Sequence, residues 1–126
     1  MKVKEAAFIG YPVTDIARAK AFYEGVLHLR PTMGHEIAGM EGKWWIEYDL
    51  GNVTLAISNT WEPSGGGGPT VALEVESLDE AVATLREANT SIQAERIETP
   101  VCAFALATDP DGNAIMIHQR KADCGH

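Results

Sequence analysis

The sequence predicts an α+β fold made of two tandem βαβββ modules. Three observations carry that prediction. A Gly/Pro stretch, Pro63-Ser64-Gly65-Gly66-Gly67-Gly68-Pro69, interrupts the chain near its midpoint. Strand-like and helix-like segments recur on either side at an offset of 62 residues, which superposes Phe8 on Thr70, Val13 on Val75 and Ala19 on Ala81. Each half then ends in a hairpin pattern built around a Gly-containing turn.

In the first half, residues 6–12 read as a strand, and Asp15 caps a helical pattern whose Ile16, Ala19, Phe22 and Val26 share one face. Residues 29–42 hold an ill-defined strand and a loop with Gly34, Gly39 and Gly42. Residues 43–48 and 53–58 then flank the turn Asp49-Leu50-Gly51-Asn52. In the second half, residues 70–75 read as a strand. Ser77-Leu78-Asp79-Glu80 has the capping-box form ahead of a helix with Leu78, Ala81, Val82 and Leu85 inward. A weak strand follows, and residues 101–107 and 113–119 flank Asp109-Pro110-Asp111-Gly112. The whole reads as one domain over residues 1–126. Module one covers about 5–60, the linker about 61–69, module two about 70–120, and a short tail 121–126.

At 126 residues and 13.6 kDa the chain is long enough for a real core and too short for a multidomain enzyme. Hydrophobic residues at 45% and charged ones at 22% exclude intrinsic disorder. Ten Lys and Arg against 18 Asp and Glu give a formal charge of −8 and a pI near 4.9, which argues against nucleic-acid binding. No apolar run approaches the roughly 20 residues of a membrane span. The opening Met1-Lys2-Val3-Lys4-Glu5 lacks the apolar region of a secretory signal, so the expected location is cytoplasmic. Cys102 and Cys124 have neither metal-ligand nor disulfide-framework spacing and read as ordinary thiols.

The segment from Pro12 to Leu27, with Val13, Asp15, Ala19, Phe22, Tyr23 and Leu27, resembles the V-x-D-x-x-x-A-x-x-F-Y-x-x-x-L opening of the vicinal oxygen chelate superfamily. That superfamily includes glyoxalase I, extradiol dioxygenases, fosfomycin-modifying enzymes and bleomycin-resistance proteins. The closing Asp109-Pro110-Asp111-Gly112-Asn113 before an apolar strand is similar to its last hairpin, and the likeness spans about residues 5–119. The resemblance implies that the two modules curl into a cup-shaped, barrel-like mixed sheet with helices outside. It also implies a divalent metal held from the first and last strand of each module. Here those four positions fall on Phe8, Leu55, Thr70 and Met116, which do not form a usable ligand set. Neither a metal nor another cofactor is therefore expected. Proteins of this kind commonly dimerise about a two-fold axis, and covering open sheet edges favours it, so a homodimer is expected.

Side-chain alternation then assigns the walls of the cup. With Leu55 inward and the first hairpin closed around Leu50-Gly51, Ile46 pairs with Leu55, Trp44 with Ile57 and Tyr48 with Val53, which turns Trp44 and Tyr48 inward. With Met116 inward, Ala114 and His118 follow, opposite Ala103, Ala105 and Ala107, while Phe104, Leu106, Ile115 and Ile117 pack under the second helix. The expected ligand-binding residues are Phe8, Trp44, Ile46, Tyr48, Leu55, Thr70, Ala103, Ala105, Met116 and His118. Such a lining suits holding a small organic molecule, planar or cationic, in the manner of the bleomycin-resistance branch. A filled core is the competing explanation of the same residues.

No catalytic residue is assigned. Asp15 is explained as a helix cap, Asp109 and Asp111 by their turn. The glycine run lacks the Lys-Ser/Thr and the helix start of a phosphate loop. Glu74 and His118 share a facing, yet if Thr70 neighbours Met116 on antiparallel strands the two lie roughly 20 Å apart. His28, His35 and His126 read as surface residues. Two further readings stay open: a metal enzyme of glyoxalase or dioxygenase type with ligands drawn from His35, Glu47, Glu74 and His118, and an interaction domain with no pocket.

Overall fold

The computed structural model describes residues 1–121. The chain forms two compact units, Met1–Pro63 and Ser64–His126. In the first, β1 (Ile9–Pro12) leads into α1 (Ile16–Lys20), which continues as a π-helical stretch (Ala21–Val26), followed by β2 (Pro31–Glu36), β3 (Trp44–Asp49) and β4 (Thr54–Ser58). In the second, β5 (Val71–Glu74) leads into α2 (Leu78–Glu87), β6 (Ser91–Glu98), β7 (Cys102–Thr108) and β8 (Ala114–Arg120). Each unit is thus βαβββ, and the sheet orders match: β1-β4-β3-β2 and β5-β8-β7-β6.

Chain direction explains the sheets. The helix carries the chain back across its sheet, so the next strand runs with the first, the third against it and the fourth with it again. Accordingly β1 pairs with β4, and β5 with β8, in parallel, while the remaining neighbours are antiparallel. The two modules repeat in detail. Val13 N–H donates to Ser58 O at 3.0 Å and, 62 residues on, Val75 N–H donates to His118 O at 2.9 Å. The caps repeat too: Asp15 Oδ1 accepts from Arg18 N at 3.0 Å and Ser77 Oγ from Glu80 N at 3.2 Å.

Both helices bury one sheet face. Under α1 and its continuation lie Tyr11, Ile46, Tyr48, Leu55 and Ile57, with Ala19, Phe22 and Tyr23 from the helix side, all buried. Tyr23 and Tyr48 stack with ring centroids 6.0 Å apart, and Tyr48 Oη donates to Glu24 Oε2 at 2.9 Å. Under α2 lie Val71, Ala103, Ala105, Ala107, Ile115 and Ile117, facing Leu78, Val82 and Leu85. Gln119, on the same face, accepts from Leu78 N at 2.7 Å and marks that side as the helix side. Cys102 is a buried free thiol; Cys124 and His126 lie outside the described residues.

These facings correct part of the wall assignment. The first hairpin pairs Tyr48 with Leu55 and Ile46 with Ile57, two residues from the expected register, because its loop spans four residues. A two-residue slip preserves which side chains share a face, but that face is the helix side. Trp44, Ile46, Tyr48 and Leu55 therefore do not line the opposite surface. In the second hairpin, Leu106 pairs with Met116 and Ala105 with Ile117 across a five-residue connection. That is one residue from the expected register, and a one-residue difference turns a strand over. Ala103 and Ala105, with Ala107, are packed under α2, and Phe104 and Leu106 take the other side.

Candidate functional site

The helix-free face of the first unit carries an aromatic cluster. Phe8 and Trp45 meet edge to face at 5.0 Å and 87°, Trp45 and Trp61 at 5.1 Å and 66°, and Phe8 stacks over Trp61 at 6.5 Å and 21°. β3 supplies Trp45, the segment before β1 supplies Phe8, and the chain beyond β4 brings Trp61 back over β1. Gly10 makes that return possible. A Cβ there would stand 2.4 Å from the edge of the Trp61 indole, so any larger residue would push the ring away. Phe8 is 42% exposed, an unusual position for a ring held by two other rings.

Polar groups border the cluster. Trp45 Nε1 donates to Glu47 Oε2 at 2.8 Å, which holds a carboxylate against the indole edge. On the edge strand β2, His35 is the register partner of Trp45 and Met33 that of Glu47. A face of π-systems beside an anionic group can stack a planar molecule and attract a cation.

The second unit presents different chemistry on its helix-free face. Parallel pairing makes Glu74 the register partner of His118, and Glu74 Oε1 lies 2.6 Å from His118 Nδ1. This corrects the expected 20 Å separation, which rested on antiparallel strands. Glu74 Oε2 accepts from Arg120 N at 2.8 Å. Burial pushes the Glu74 carboxyl up, but the Arg120 amide and the His118 ring outweigh it and hold the group below the usual carboxylate range. Phe104, Leu106 and Met116 lie on the same side of β7 and β8, and Ala72 on β5.

The metal positions implied by the family can be tested against this geometry. On the helix-free faces the corresponding strands present Phe8, Thr54 and Ala56 in the first unit and Thr70, Ala72 and Met116 in the second. Apolar side chains, neutral hydroxyls and one thioether do not fit a divalent ion. Among the described residues, no group of three or more His, Cys, Asp or Glu side chains could hold a metal. Of the fallback ligands, Glu74 and His118 come together. His35 and Glu47 stand on neighbouring strands of the other unit and form no such group.

Phe8, Thr70, Met116 and His118 thus stand on or beside helix-free faces, whereas the other six expected site residues face the helices. Sequence reasoning passed over Trp45, Phe104 and Leu106 as binding residues. The signal was present as the Trp44-Trp45 pair, where alternation requires one ring on each face.

Fold and site define a tandem βαβββ protein whose helix-free surfaces offer aromatic and hydrogen-bonding groups rather than a three-ligand metal cluster among the described residues. The sequence matches the model of the Glyoxalase/Bleomycin resistance protein/Dioxygenase superfamily over residues 6–117, and the chain belongs to that superfamily. Among solved structures it is similar to TnmS3, an antibiotic binding protein from Streptomyces sp. CB03234. That likeness has TM-score 0.79 and 21% identity and covers 96% of this chain and 99% of that one. A glyoxalase/bleomycin resistance protein from the same strain gives 0.74 and 22%, covering 91% and 100%. A superfamily member from Sphaerobacter thermophilus DSM 20745 gives 0.73 and 18%, covering 93% and 98%. At these identities the likeness shows the fold. No curated protein matches the sequence. No helix among the described residues is long and apolar enough to cross a membrane.

Proposed function

We propose that the protein binds a small planar organic molecule, with a preference for cationic ones, and does so without a metal. The observation that carries this reading is the Phe8–Trp45–Trp61 cluster with Glu47 against it. Three large rings on the sheet face opposite the unit's own helix offer stacking area, and the carboxylate supplies the charge preference. TnmS3, an antibiotic binding protein of the same fold, lends support. Phe8, Thr70, Met116 and His118 stay within the proposed binding set, joined by Trp45, Trp61, Phe104 and Leu106. One domain of two modules, acting as a cytoplasmic homodimer, completes the proposal.

Titration with a panel of planar aromatic antibiotics and simple aromatic cations, followed by quenching of tryptophan fluorescence, tests it. Trp45→Ala should weaken binding by about 1 to 3 kcal/mol, the range for a lost aromatic anchor. Trp44→Ala, on the other face and 38% exposed, should leave affinity within a factor of about two. Equal effects of the two, or saturation by no member of the panel, would remove the reading. Stoichiometric transition metal in purified protein would overturn the metal-free clause, and sedimentation of a 13.6 kDa species alone at micromolar concentration the dimer.

A further inference from the structure

We propose that His118, positioned by Glu74, accepts a proton from an acidic hydroxyl of a small phenol- or enol-type ligand on the helix-free face of the second unit. The inference rests on β5, β7 and β8 of the second unit and does not require the Phe8–Trp45–Trp61 cluster.

The geometry is that of a base with its orienting group. His118 Nδ1 and Glu74 Oε1 are 2.6 Å apart, and the second carboxylate oxygen is held at 2.8 Å by the Arg120 backbone N–H. Bonded at both oxygens, the carboxylate is oriented toward the ring. A carboxylate accepts and does not donate, so the neutral imidazole carries its proton on Nδ1 and its basic lone pair on Nε2. This is the relation by which an acid residue fixes the tautomer of a histidine base and steadies the imidazolium once it forms. Fixing a strand-end histidine for structure alone would need neither the second clamp nor a charged partner.

The surroundings select the ligand. His118 has a side-chain exposure of 15%, against 41% for Glu74, so the ring is largely sheltered and its partner meets water. Across β7 its register partner is Phe104, and Leu106 and Met116 continue the same face, a strip suited to the flat body of an aromatic hydroxyl compound. Among the described residues, register places Glu74 from β5, Arg120 on β8 and the Cys102 thiol from β7 on this face, and Cys102 pairs with Arg120 and contacts Thr99 Oγ1 at 3.1 Å. Of these three groups only Glu74 is a carboxylate, and the Arg120 charge favours an anionic oxygen nearby. In the transfer the ligand O–H bond breaks, the proton goes to Nε2, and the electron pair stays on oxygen. A phenolate then faces an imidazolium that is neutralised by Glu74, and release reverses the step.

The test uses the full-length protein with 7-hydroxycoumarin, whose phenol and phenolate absorb at different wavelengths, and 7-methoxycoumarin, which has no acidic proton. Bound 7-hydroxycoumarin should turn phenolate-like about one pH unit or more below the free probe, the scale of a nearby charge or hydrogen bond. His118→Gln should abolish that displacement while the protein keeps its fold by circular dichroism, and Glu74→Gln should reduce it. 7-Methoxycoumarin should show no pH-dependent spectral change in wild type or in either variant, and any loss of its affinity measures the contact that His118 and Glu74 supply apart from proton acceptance. Three results would overturn the proposal: no binding of the hydroxy probe at millimolar concentration, binding with an undisplaced spectrum, or a displacement that survives His118→Gln. Persistent 7-methoxycoumarin binding alongside any of these would leave the aromatic-face reading standing by itself.

Discussion

The two modules share one chain path and differ in where they put volume. Under its helix the first packs Tyr11, Tyr23 and Tyr48, whereas the second packs three alanines of β7. On the opposite face the order reverses in kind: the first exposes stacked rings, the second a hydrogen-bonded acid–base pair beside medium-sized apolar groups. Identical topology with the same 62-residue offset at β1/β5 and at both helix caps shows that the fold constrains backbone pairing, not side-chain size. What the helix sides need is that each face be filled, by large rings or by small residues under a regular ten-residue α2.

The largest test of that comparison removes volume from the first module. Tyr48→Ala should cost about 3 to 5 kcal/mol in urea unfolding, the range for truncating a buried aromatic. Its companion Tyr48→Phe isolates the hydroxyl and should cost about 1 kcal/mol. Burial, the hydrogen bond to Glu24 and the Glu24 charge push the Tyr48 ionisation far above its ordinary value of 10.0. The folded state therefore keeps a proton that the unfolded chain releases above about pH 10. This contribution is fully present below that pH and is lost as pH rises, so Tyr48→Phe should flatten the alkaline decline in stability.

Adding volume to the second module is the converse. Ala105 is fully buried beside Ile117, and Ala105→Leu should destabilise by about 1 to 3 kcal/mol through overpacking beneath α2. A neutral result in the same unfolding assay would mean that the alanines leave free space, and the contrast in packing between modules would fail. The smallest effect sits where the first helix ends. His28 has φ +58°, a left-handed conformation that disfavours a side chain, and the corresponding residue after α2 is Asn89 at +56°. His28→Gly should stabilise by up to about 1 kcal/mol; Asn89→Gly should gain less, since Asn tolerates this region better. Thermal unfolding of the pair measures the difference.

How much was legible in the sequence follows from which interactions are local. Asp15 and Ser77 announced their helices because a cap bonds within three residues. Asp49-Leu50-Gly51 and Asp109 to Asn113 announced their hairpins because Gly51 and Gly112 adopt φ +95° and +86°, which glycine does freely. The repeat and the family signature rest on the same short-range patterns. The facing of the strands was not local. Loop lengths of four and five residues set the hairpin registers, and one residue more or less exchanges every side chain for its neighbour. Trp44 and Trp45 are equivalent as letters, and only packing of Tyr23 against Tyr48 shows which side of β3 the helix takes, leaving Trp45 to meet Phe8.

By itself, then, the sequence determined the element order, the duplication, the caps and turns, and the family to which the chain belongs, because each is written in periodicity or in contacts a few residues long. Tertiary structure alone decided that β5 and β8 run parallel. That pairing joins residues 44 positions apart, Glu74 and His118, and no spacing along the chain reports a distance closed by a helix crossover and two further strands.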